Sequence, residues 1–140
     1  MPFLKINNTN KVYYEYTESK DNGCTFVFVN ALTGSTTTWN GEIGNKIVTQ
    51  GNGYLTYNFR GQENSEFDKK IDLDTDVIVN DLCLLIKKLK LTNIILVGLS
   101  IGGLYATLAL EKDINILGLV LINTLRKNNF RLAWLTATMV

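Results

Sequence analysis

Three short apolar runs alternate with stretches of helical periodicity along this chain. The runs TFVFVN, IILVGL and ILGLVLIN are rich in β-branched residues, which is typical of strands buried on both faces of a covered sheet. The stretch IDLDTDVIVNDLCLLIKKLKL has apolar residues at helical spacing and lysines near its end, and it predicts an amphipathic helix. The apolar face of this helix is predicted to comprise Val77, Leu82, Leu85, Ile86 and Leu89.

Weaker patterns extend the alternation to the rest of the chain. LKINN and KVYYEYTE flank a turn-like segment and predict an antiparallel hairpin. GNGYLTYNF predicts a turn followed by a strand, and GGLYATLALEK predicts a further helix.

The two segments around the central strands are less regular. WNGEIGNKIVTQ predicts a helix that packs through Trp39, Ile43 and Ile47, despite its glycines. RGQENSEFDKK is polar and without periodicity, and it is predicted to be a surface loop.

Strand and helix patterns thus alternate over residues 25–123. Such alternation predicts an α/β fold, with a mostly parallel sheet covered by helices on both faces and right-handed crossovers. At 140 residues the chain corresponds to one domain or part of one.

Composition argues against several classes of protein. The chain has 14 basic and 13 acidic residues, a net charge of +1, and no basic block of the kind that binds nucleic acid. No apolar segment reaches the ~18 residues of a membrane span, and MPFLKINN lacks the order of a signal peptide, so we expect a cytoplasmic protein without a membrane span. Cys24 and Cys83 are expected to be buried, and no metal or cofactor is expected.

One serine stands at an abrupt boundary between an apolar run and a helical stretch. Gly98, Ser100 and Gly102 form a GxSxG pentapeptide, and Gly103 follows directly. A turn this sharp forces its central residue into a strained backbone conformation, and small neighbours let the strand and the helix approach each other. The Ser100 hydroxyl would stand clear of the sheet and face the helix amino terminus, where a developing oxyanion is stabilised. This placement predicts a nucleophile.

Two other interpretations of Ser100 stay open from the residues alone. In the first interpretation, the serine is a helix cap and nothing more, although a serine cap does not require flanking glycines. A glycine-rich turn between strand and helix can also bind phosphate, but GLSIGG does not match G-x-G-x-x-G and no P-loop lysine follows it.

Three segments together resemble the α/β-hydrolase fold family over nearly the whole chain. FVFVNALTGSTTTW is similar to the third strand and oxyanion loop of that family, where His-Gly usually precedes a loop of small residues that ends in tryptophan. YLTYNFRGQENS is similar to the fourth strand and its Asp-x-Arg-Gly-x-Gly-x-Ser loop, and LVGLSIGG is similar to the nucleophile elbow. Their order and spacing agree with successive strand and helix units of one sheet.

The resemblance implies roles for individual residues. Ser100 would be the nucleophile that forms an acyl intermediate, and the backbone N–H of Ile101 would be one oxyanion donor. The backbone N–H of Leu32 would be the other, with Asn30 and Ala31 in the positions that His-Gly usually occupies. Because losing one such donor costs about 3 to 4 kcal/mol, the backbone geometry of this loop matters more than its side chains.

The fourth-strand loop departs from the family pattern at one position. Arg60 and Gly61 match it, but Asn58 stands in place of the usual aspartate. From the residues alone, Arg60 is expected to anchor the loop rather than to bind substrate. Trp39 is expected to pack at a helix start, and DKKIDLDTD is expected to be a solvated loop that caps the next helix.

The remaining members of the family's triad are not found in the sequence. They follow the serine in chain order as an acid and then a histidine, and the 140 residues contain no histidine. Residues 1–124 are therefore expected to be the amino-terminal part of the core, truncated after the sixth strand, and residues 125–140 the start of a cap or lid. The acid and the histidine are expected in the missing carboxy-terminal half, so the chain alone is expected to be inactive.

The function implied by the resemblance is that of an esterase-like serine hydrolase. It would cleave an ester or similar acyl bond of a small molecule through an acyl-serine on Ser100. An acyltransferase or a carbon–carbon bond hydrolase on the same fold is an alternative, because a fold does not fix the reaction. A catalytically inactive, truncated binding protein is the non-enzymatic alternative.

Overall fold

The structure, a computed structural model, describes residues 2–70 and 72–124. A six-stranded sheet forms its centre. The strands are β1 (Phe3–Lys5), β2 (Lys11–Thr17), β3 (Thr25–Val29), β4 (Gly53–Tyr57), β5 (Ile94–Leu99) and β6 (Ile116–Ile122). The helices are α1 (Glu42–Thr49), α2 (Thr75–Lys88) and α3 (Ile101–Ala109), and a short 3-10 helix spans Thr36–Thr38. The predicted start of a lid at residues 125–140 lies outside the described residues.

The strand order is β1-β2-β4-β3-β5-β6. The pairs β1–β2 and β2–β4 are antiparallel. The pairs β4–β3, β3–β5 and β5–β6 are parallel. The predicted hairpin and the mostly parallel sheet are therefore confirmed.

Helices cover both faces of the sheet, as the alternating pattern predicts. On one face, Val27, Leu55 and Leu96 are fully buried in the main core, together with side chains of α2 and α3. On the other face, Phe28 and Val97 pack with Trp39 and with Ile47 of α1. Consecutive residues of β3 thus point into opposite layers, which is the expected result for a strand buried on both faces.

Helix α2 follows its sequence pattern closely at both ends. Asp74 caps it, because its side chain accepts a hydrogen bond from the backbone N–H of Val77 at 2.9 Å. Lys87 and Lys88 lie in its last turn, where positive charge complements the helix dipole. Leu82 and Leu85 are completely buried. The predicted amphipathic helix is therefore confirmed.

Helix α1 differs from its prediction. It begins at Glu42 rather than near Trp39, and the side chain of Ile43 is 42% exposed instead of packing inward. The helix approaches the sheet through buried Gly44, where an added Cβ would lie 3.1 Å from the ring of Tyr54. A glycine therefore replaces an apolar side chain in this contact, which apolar periodicity does not indicate.

Residues 60–70, after β4, form a loop without a buried residue, as predicted, but several polar residues of this loop form hydrogen bonds to other segments. Gln62 and Ser65 are only partly exposed, and each forms hydrogen bonds to other segments of the chain. The loop also contains the pairing of Glu66 with Lys11 of β2. Polar side chains in this segment therefore form hydrogen bonds to other parts of the fold, which a polar composition alone does not predict.

Strand β6 forms one end of the described sheet. Its exposed side chains include Leu117, 63% exposed, together with Val120, Leu121 and Ile122. Apolar side chains are therefore exposed at this edge of the described sheet. No helix within residues 2–70 and 72–124 is long and apolar enough to cross a membrane. Of the two cysteines, Cys83 is buried as expected and Cys24 only half-buried.

Candidate active site

The sheet changes winding direction between β3 and β5. The connection after β3 leads to α1 on one face, and the connection after β5 leads to α3 on the other. These strands are parallel neighbours, and Val29 at the end of β3 pairs with Gly98 near the end of β5. The carboxyl edge at such a switch point is the usual place for a binding crevice in an open α/β sheet. The candidate site of the sequence analysis lies at this position.

Ser100 occupies the sharp turn between β5 and α3. Its backbone lies at φ 56° and ψ −121°, a region that costs a non-glycine residue about 1 to 3 kcal/mol. The turn is held by hydrogen bonds from Ser100 N to Ile122 O at 2.9 Å and from Gly103 N to Ser100 O at 3.0 Å. The Ser100 side chain makes no capping hydrogen bond to α3 and is half-exposed. The strained backbone is as predicted, and the capping interpretation receives no support.

Three glycines make this turn sterically possible. A Cβ at Gly98 would lie 2.6 Å from the backbone nitrogen of Gly103, and a Cβ at Gly103 would overlap the side chain of Thr124. A Cβ at Gly102 would overlap the carbonyl oxygens of Val29 and Asn30. The first turn of α3 therefore packs directly on the end of β3, as the elbow interpretation requires.

Two backbone amides lie just beyond the ends of β3 and β5. Leu32 follows Val29 by three residues, and Ile101 follows the paired Gly98 by three residues. Within the described residues, neither amide donates a hydrogen bond to another protein group. Ile101 N–H belongs to the first turn of α3, where amides have no partner within the helix and the helix dipole is positive.

Asn30 anchors the loop that carries Leu32. The side chain is completely buried, and its amide nitrogen donates to the carbonyl of Tyr57 at 2.7 Å. Its amide oxygen accepts from the indole N–H of Trp39 at 2.7 Å, and the indole stacks on Phe28 at 4.5 Å between ring centroids. Trp39 is thus a packing residue, as expected. Asn30, in the position where the family usually has histidine, ties the loop to the end of β4.

Asn58 and Gln62 extend this network from the loop after β4. Asn58 Oδ1 accepts from the backbone N–H of Thr36 at 2.8 Å. Gln62 Nε2 donates to the carbonyl oxygens of Ala31 at 3.0 Å and of Leu32 at 2.9 Å. The oxyanion loop, which we define as residues 30–38, is therefore held by side-chain amides from the loop after β4.

Arg60 forms a bidentate ion pair with Asp81 on α2. Both hydrogen bonds are 2.6 Å long, and the side chains are only 10% and 7% exposed. Burial raises the pKa of Asp81 above its ordinary value, and the guanidinium of Arg60 offsets this increase only in part. This geometry agrees with the interpretation of Arg60 as an anchor of the loop.

A cavity of about 410 Å³ lies beside the oxyanion loop. Its walls include the apolar residues Leu32, Phe59, Phe67, Leu73 and Ile78. Ser100 is not one of the lining residues, so the cavity adjoins the loop rather than the serine itself. Beneath it, Phe59 packs edge-on against Tyr105 of α3 at 5.4 Å, and burial raises the pKa of Tyr105 to about 12.

Within residues 2–70 and 72–124, no group of three or more metal-binding side chains is placed to hold an ion.

The sequence analysis did not identify two residues that shape the site, Gln62 and Asp81. The sequence does contain an indication for Asp81, which stands directly before Leu82 on the apolar face of the predicted helix. An acidic residue in such a position indicates a buried, oppositely charged partner. Gln62 had no such signal within its own segment.

The family-model match and the similar solved structures agree on the fold. A family model described as alpha/beta hydrolase fold matches residues 25–139. A comparison with curated protein sequences found no match.

Three solved structures match over most of this chain but under half of their own length. An esterase from Exiguobacterium antarcticum has 25% identity and a TM-score of 0.76 over 87% of this chain and 44% of its own. A carboxylesterase structure from Nitrososphaera gargenis has 22% identity and a TM-score of 0.81, over 93% and 48%. A bromoperoxidase from Bacillus anthracis has 24% identity and a TM-score of 0.78, over 94% and 48%.

Proposed function

Because this chain belongs to the alpha/beta hydrolase fold family, we propose that it is the nucleophile-bearing part of an esterase-like serine hydrolase. Ser100 is the nucleophile, and the backbone N–H groups of Leu32 and Ile101 form the oxyanion hole. Residues 1–124 belong to the catalytic core, and residues 125–140 begin the lid. The substrate is a small molecule with an ester or similar acyl bond.

The single observation that carries this proposal is the conformation of Ser100. A non-glycine residue at φ 56° and ψ −121° is retained only where the surroundings enforce it. Here the enforcing contacts are glycine packing and two backbone hydrogen bonds, while the hydroxyl has no capping role. Ser100 is strained and half-exposed, and it directly precedes Ile101, whose amide has no partner among the described residues. These features support a role in acyl transfer.

In the first half of the reaction, Ser100 Oγ attacks the acyl carbon and its proton passes to a general base. The carbonyl oxygen becomes an oxyanion that the Leu32 and Ile101 amides stabilise, and the carbon–oxygen bond to the alcohol then breaks as the alcohol takes up the proton. In the second half, water attacks the acyl-serine, which releases the acid and restores the hydroxyl. The 140 residues contain no histidine, so we propose that the base and its acid partner are supplied from outside them.

A fluorophosphonate probe tests the proposed role of Ser100 directly, because it forms a covalent bond only with an activated nucleophile. The protein is expressed from its complete coding sequence and labelled beside the variants Ser100→Ala and Ser19→Ala. Ser19 lies in the turn before β3 and serves as the matched control. We expect labelling in the unsubstituted protein and in Ser19→Ala, and none in Ser100→Ala. Equal labelling of Ser100→Ala would remove the serine from its proposed role.

A series of p-nitrophenyl esters of increasing acyl length then tests the proposed substrate class. We expect turnover that depends on Ser100 and decreases once the acyl group exceeds the space beside the oxyanion loop. Turnover that persists in Ser100→Ala would contradict the acyl-serine route.

A further inference from the structure

We propose that Gln62 is a positioning residue that sets the direction of the Leu32 N–H, and thereby the geometry of the oxyanion hole. This role presupposes the serine-hydrolase function proposed above. Gln62 belongs to the loop after β4 and lines the cavity beside the oxyanion loop, and both donor contacts of its amide group are with carbonyl oxygens of that loop.

The planarity of the peptide bond carries the argument. The carbonyl of Ala31 and the N–H of Leu32 belong to the same peptide unit, and in a trans peptide they point in opposite directions. Gln62 Nε2 donates to Ala31 O at 3.0 Å, and Gly34 N donates to the same oxygen at 3.0 Å. With the carbonyl held by these two donors, the N–H of Leu32 must point away from Gln62. A rotation of this peptide would turn the donor out of the site.

The orientation of the Gln62 amide group follows from its partners. Its oxygen Oε1 accepts a hydrogen bond from the backbone N–H of Phe59 at 2.8 Å, and a backbone N–H can only donate. The nitrogen Nε2 therefore faces Ala31 and Leu32, and its two hydrogens have one carbonyl each. The full donor capacity of this side chain is directed at the oxyanion loop.

Gln62 is itself held firmly in place. Its backbone N–H donates to the carbonyl of Phe59 at 2.9 Å, which closes a tight turn. Gly61 occupies this turn at φ 83°, and an added Cβ there would lie 2.8 Å from the ring of Phe67. The adjacent Arg60 is fixed by its ion pair with Asp81. The turn is thus attached to α2 on one side and to the oxyanion loop on the other.

A purely structural role for Gln62 would lower stability and leave the chemistry of the folded enzyme unchanged. A positioning role instead lowers kcat with little change in KM, because the oxyanion forms only in the transition state. The two roles are therefore separable by kinetics on folded protein.

The variants Gln62→Met and Gln62→Glu are compared with Gln50→Met in the protein expressed from its complete coding sequence. Gln50 lies exposed at the end of α1, where its substitution leaves the site intact. Met removes both hydrogen bonds to the loop at similar side-chain length. We expect kcat to fall about 10- to 100-fold in Gln62→Met, below the full loss of a donor, with KM within about threefold. Gln50→Met is expected to match the parent.

The pH profile of Gln62→Glu supplies a readout that a structural role does not move. Above the pKa of the introduced carboxyl group, a carboxylate faces two carbonyl oxygens and cannot donate. Below it, the protonated carboxyl donates one hydrogen bond to one of those oxygens. The ratio of kcat in Gln62→Glu to kcat in the parent is therefore expected to rise as the pH falls.

The outcomes separate this proposal from the proposed function. Slower fluorophosphonate labelling and lower kcat in both Gln62 variants, with thermal unfolding within a few degrees of the parent, support a positioning role. Unchanged kcat and labelling rate in folded Gln62→Met would overturn that role and leave Ser100 as the nucleophile. Absence of labelling in the unsubstituted protein would overturn the proposed function, and the role of Gln62 with it.

Discussion

The backbone of Gly102 rests directly against the carbonyl oxygen of Val29, with no space for a side chain between them. This contact joins the first turn of α3, directly after Ser100, to the end of β3, directly before the loop that carries Leu32. The positions of the two proposed oxyanion donors therefore depend on a backbone-to-backbone contact.

Gly102→Ala is expected to destabilise the protein by about 1 to 3 kcal/mol, because its Cβ would overlap backbone atoms that cannot rotate away. Urea unfolding measures this loss. The matched control is Gly118→Ala in β6, where the nearest atoms to an added Cβ are 4.0 Å away. If both alanine variants were equally stable, the close packing of α3 on β3 would be contradicted.

Arg60→Met is expected to lower the free energy of unfolding by about 3 to 5 kcal/mol near neutral pH, because it leaves the buried carboxylate of Asp81 without its partner. The double variant Arg60→Met with Asp81→Leu is expected to recover most of this loss. Lys46→Met, which removes the exposed pair with Glu42, is the control and is expected to have no measurable effect.

The loss in Arg60→Met should depend on pH in a defined direction. Burial already raises the folded-state pKa of Asp81, and removal of Arg60 removes the interactions that lower it. The penalty is absent below the unfolded-state pKa of about 3.9, where the carboxyl is protonated in both states, and it grows as the pH rises through the folded-state pKa. A loss in Arg60→Met that is the same at pH 3 and pH 7 would contradict the burial of an ionisable Asp81.

Trp39→Phe is expected to lower the free energy of unfolding by about 1 to 3 kcal/mol. The variant keeps an aromatic ring on Phe28, but it leaves the buried Oδ1 of Asn30 without its indole donor. The same change in an Asn30→Leu background should cost less, because the acceptor is no longer there. A double-mutant cycle in urea measures the difference. Additive losses would show that the hydrogen bond contributes nothing.

Ser100→Gly is expected to be about 1 to 2 kcal/mol more stable than Ser100→Ala, because only glycine adopts a positive φ without strain. Both variants are expected to lose the proposed activity. Ser35 provides the control, since its backbone is extended at φ −149° and glycine has no advantage there. The same order of stabilities at both sites would contradict the strained backbone of Ser100.

The sequence predicts those parts of the structure that depend on neighbours along the chain. Strands β3 and β5 are continuous apolar runs, and α2 has both periodicity and capping residues. The elbow at Ser100 is likewise local, because its sharp turn requires small residues within a few positions. For this reason the strained backbone is predictable from the sequence.

The remaining features depend on partners far apart in sequence. Gln62 contacts carbonyls 30 and 31 residues earlier in the chain, and Arg60 pairs with Asp81 across 21 residues. Neither contact leaves a periodic signal, so the segment looks like an ordinary polar loop. For Ile43 the sequence pattern is misleading in the opposite way. Its spacing fits a buried helix face, but its side chain is exposed and Gly44 makes the contact with Tyr54. Steric fit between elements decides such positions.

The amide network around the oxyanion loop has a consequence for acid–base behaviour. Asn30, Asn58, Gln62 and Trp39 carry no proton that is gained or lost in the ordinary pH range, and Asn30 stands where the family usually has a titratable imidazole. These side chains around the proposed oxyanion hole therefore keep one hydrogen-bonding pattern from mildly acidic to alkaline conditions. If the proposed activity is present, an inflection in its rate profile would not arise from these four side chains.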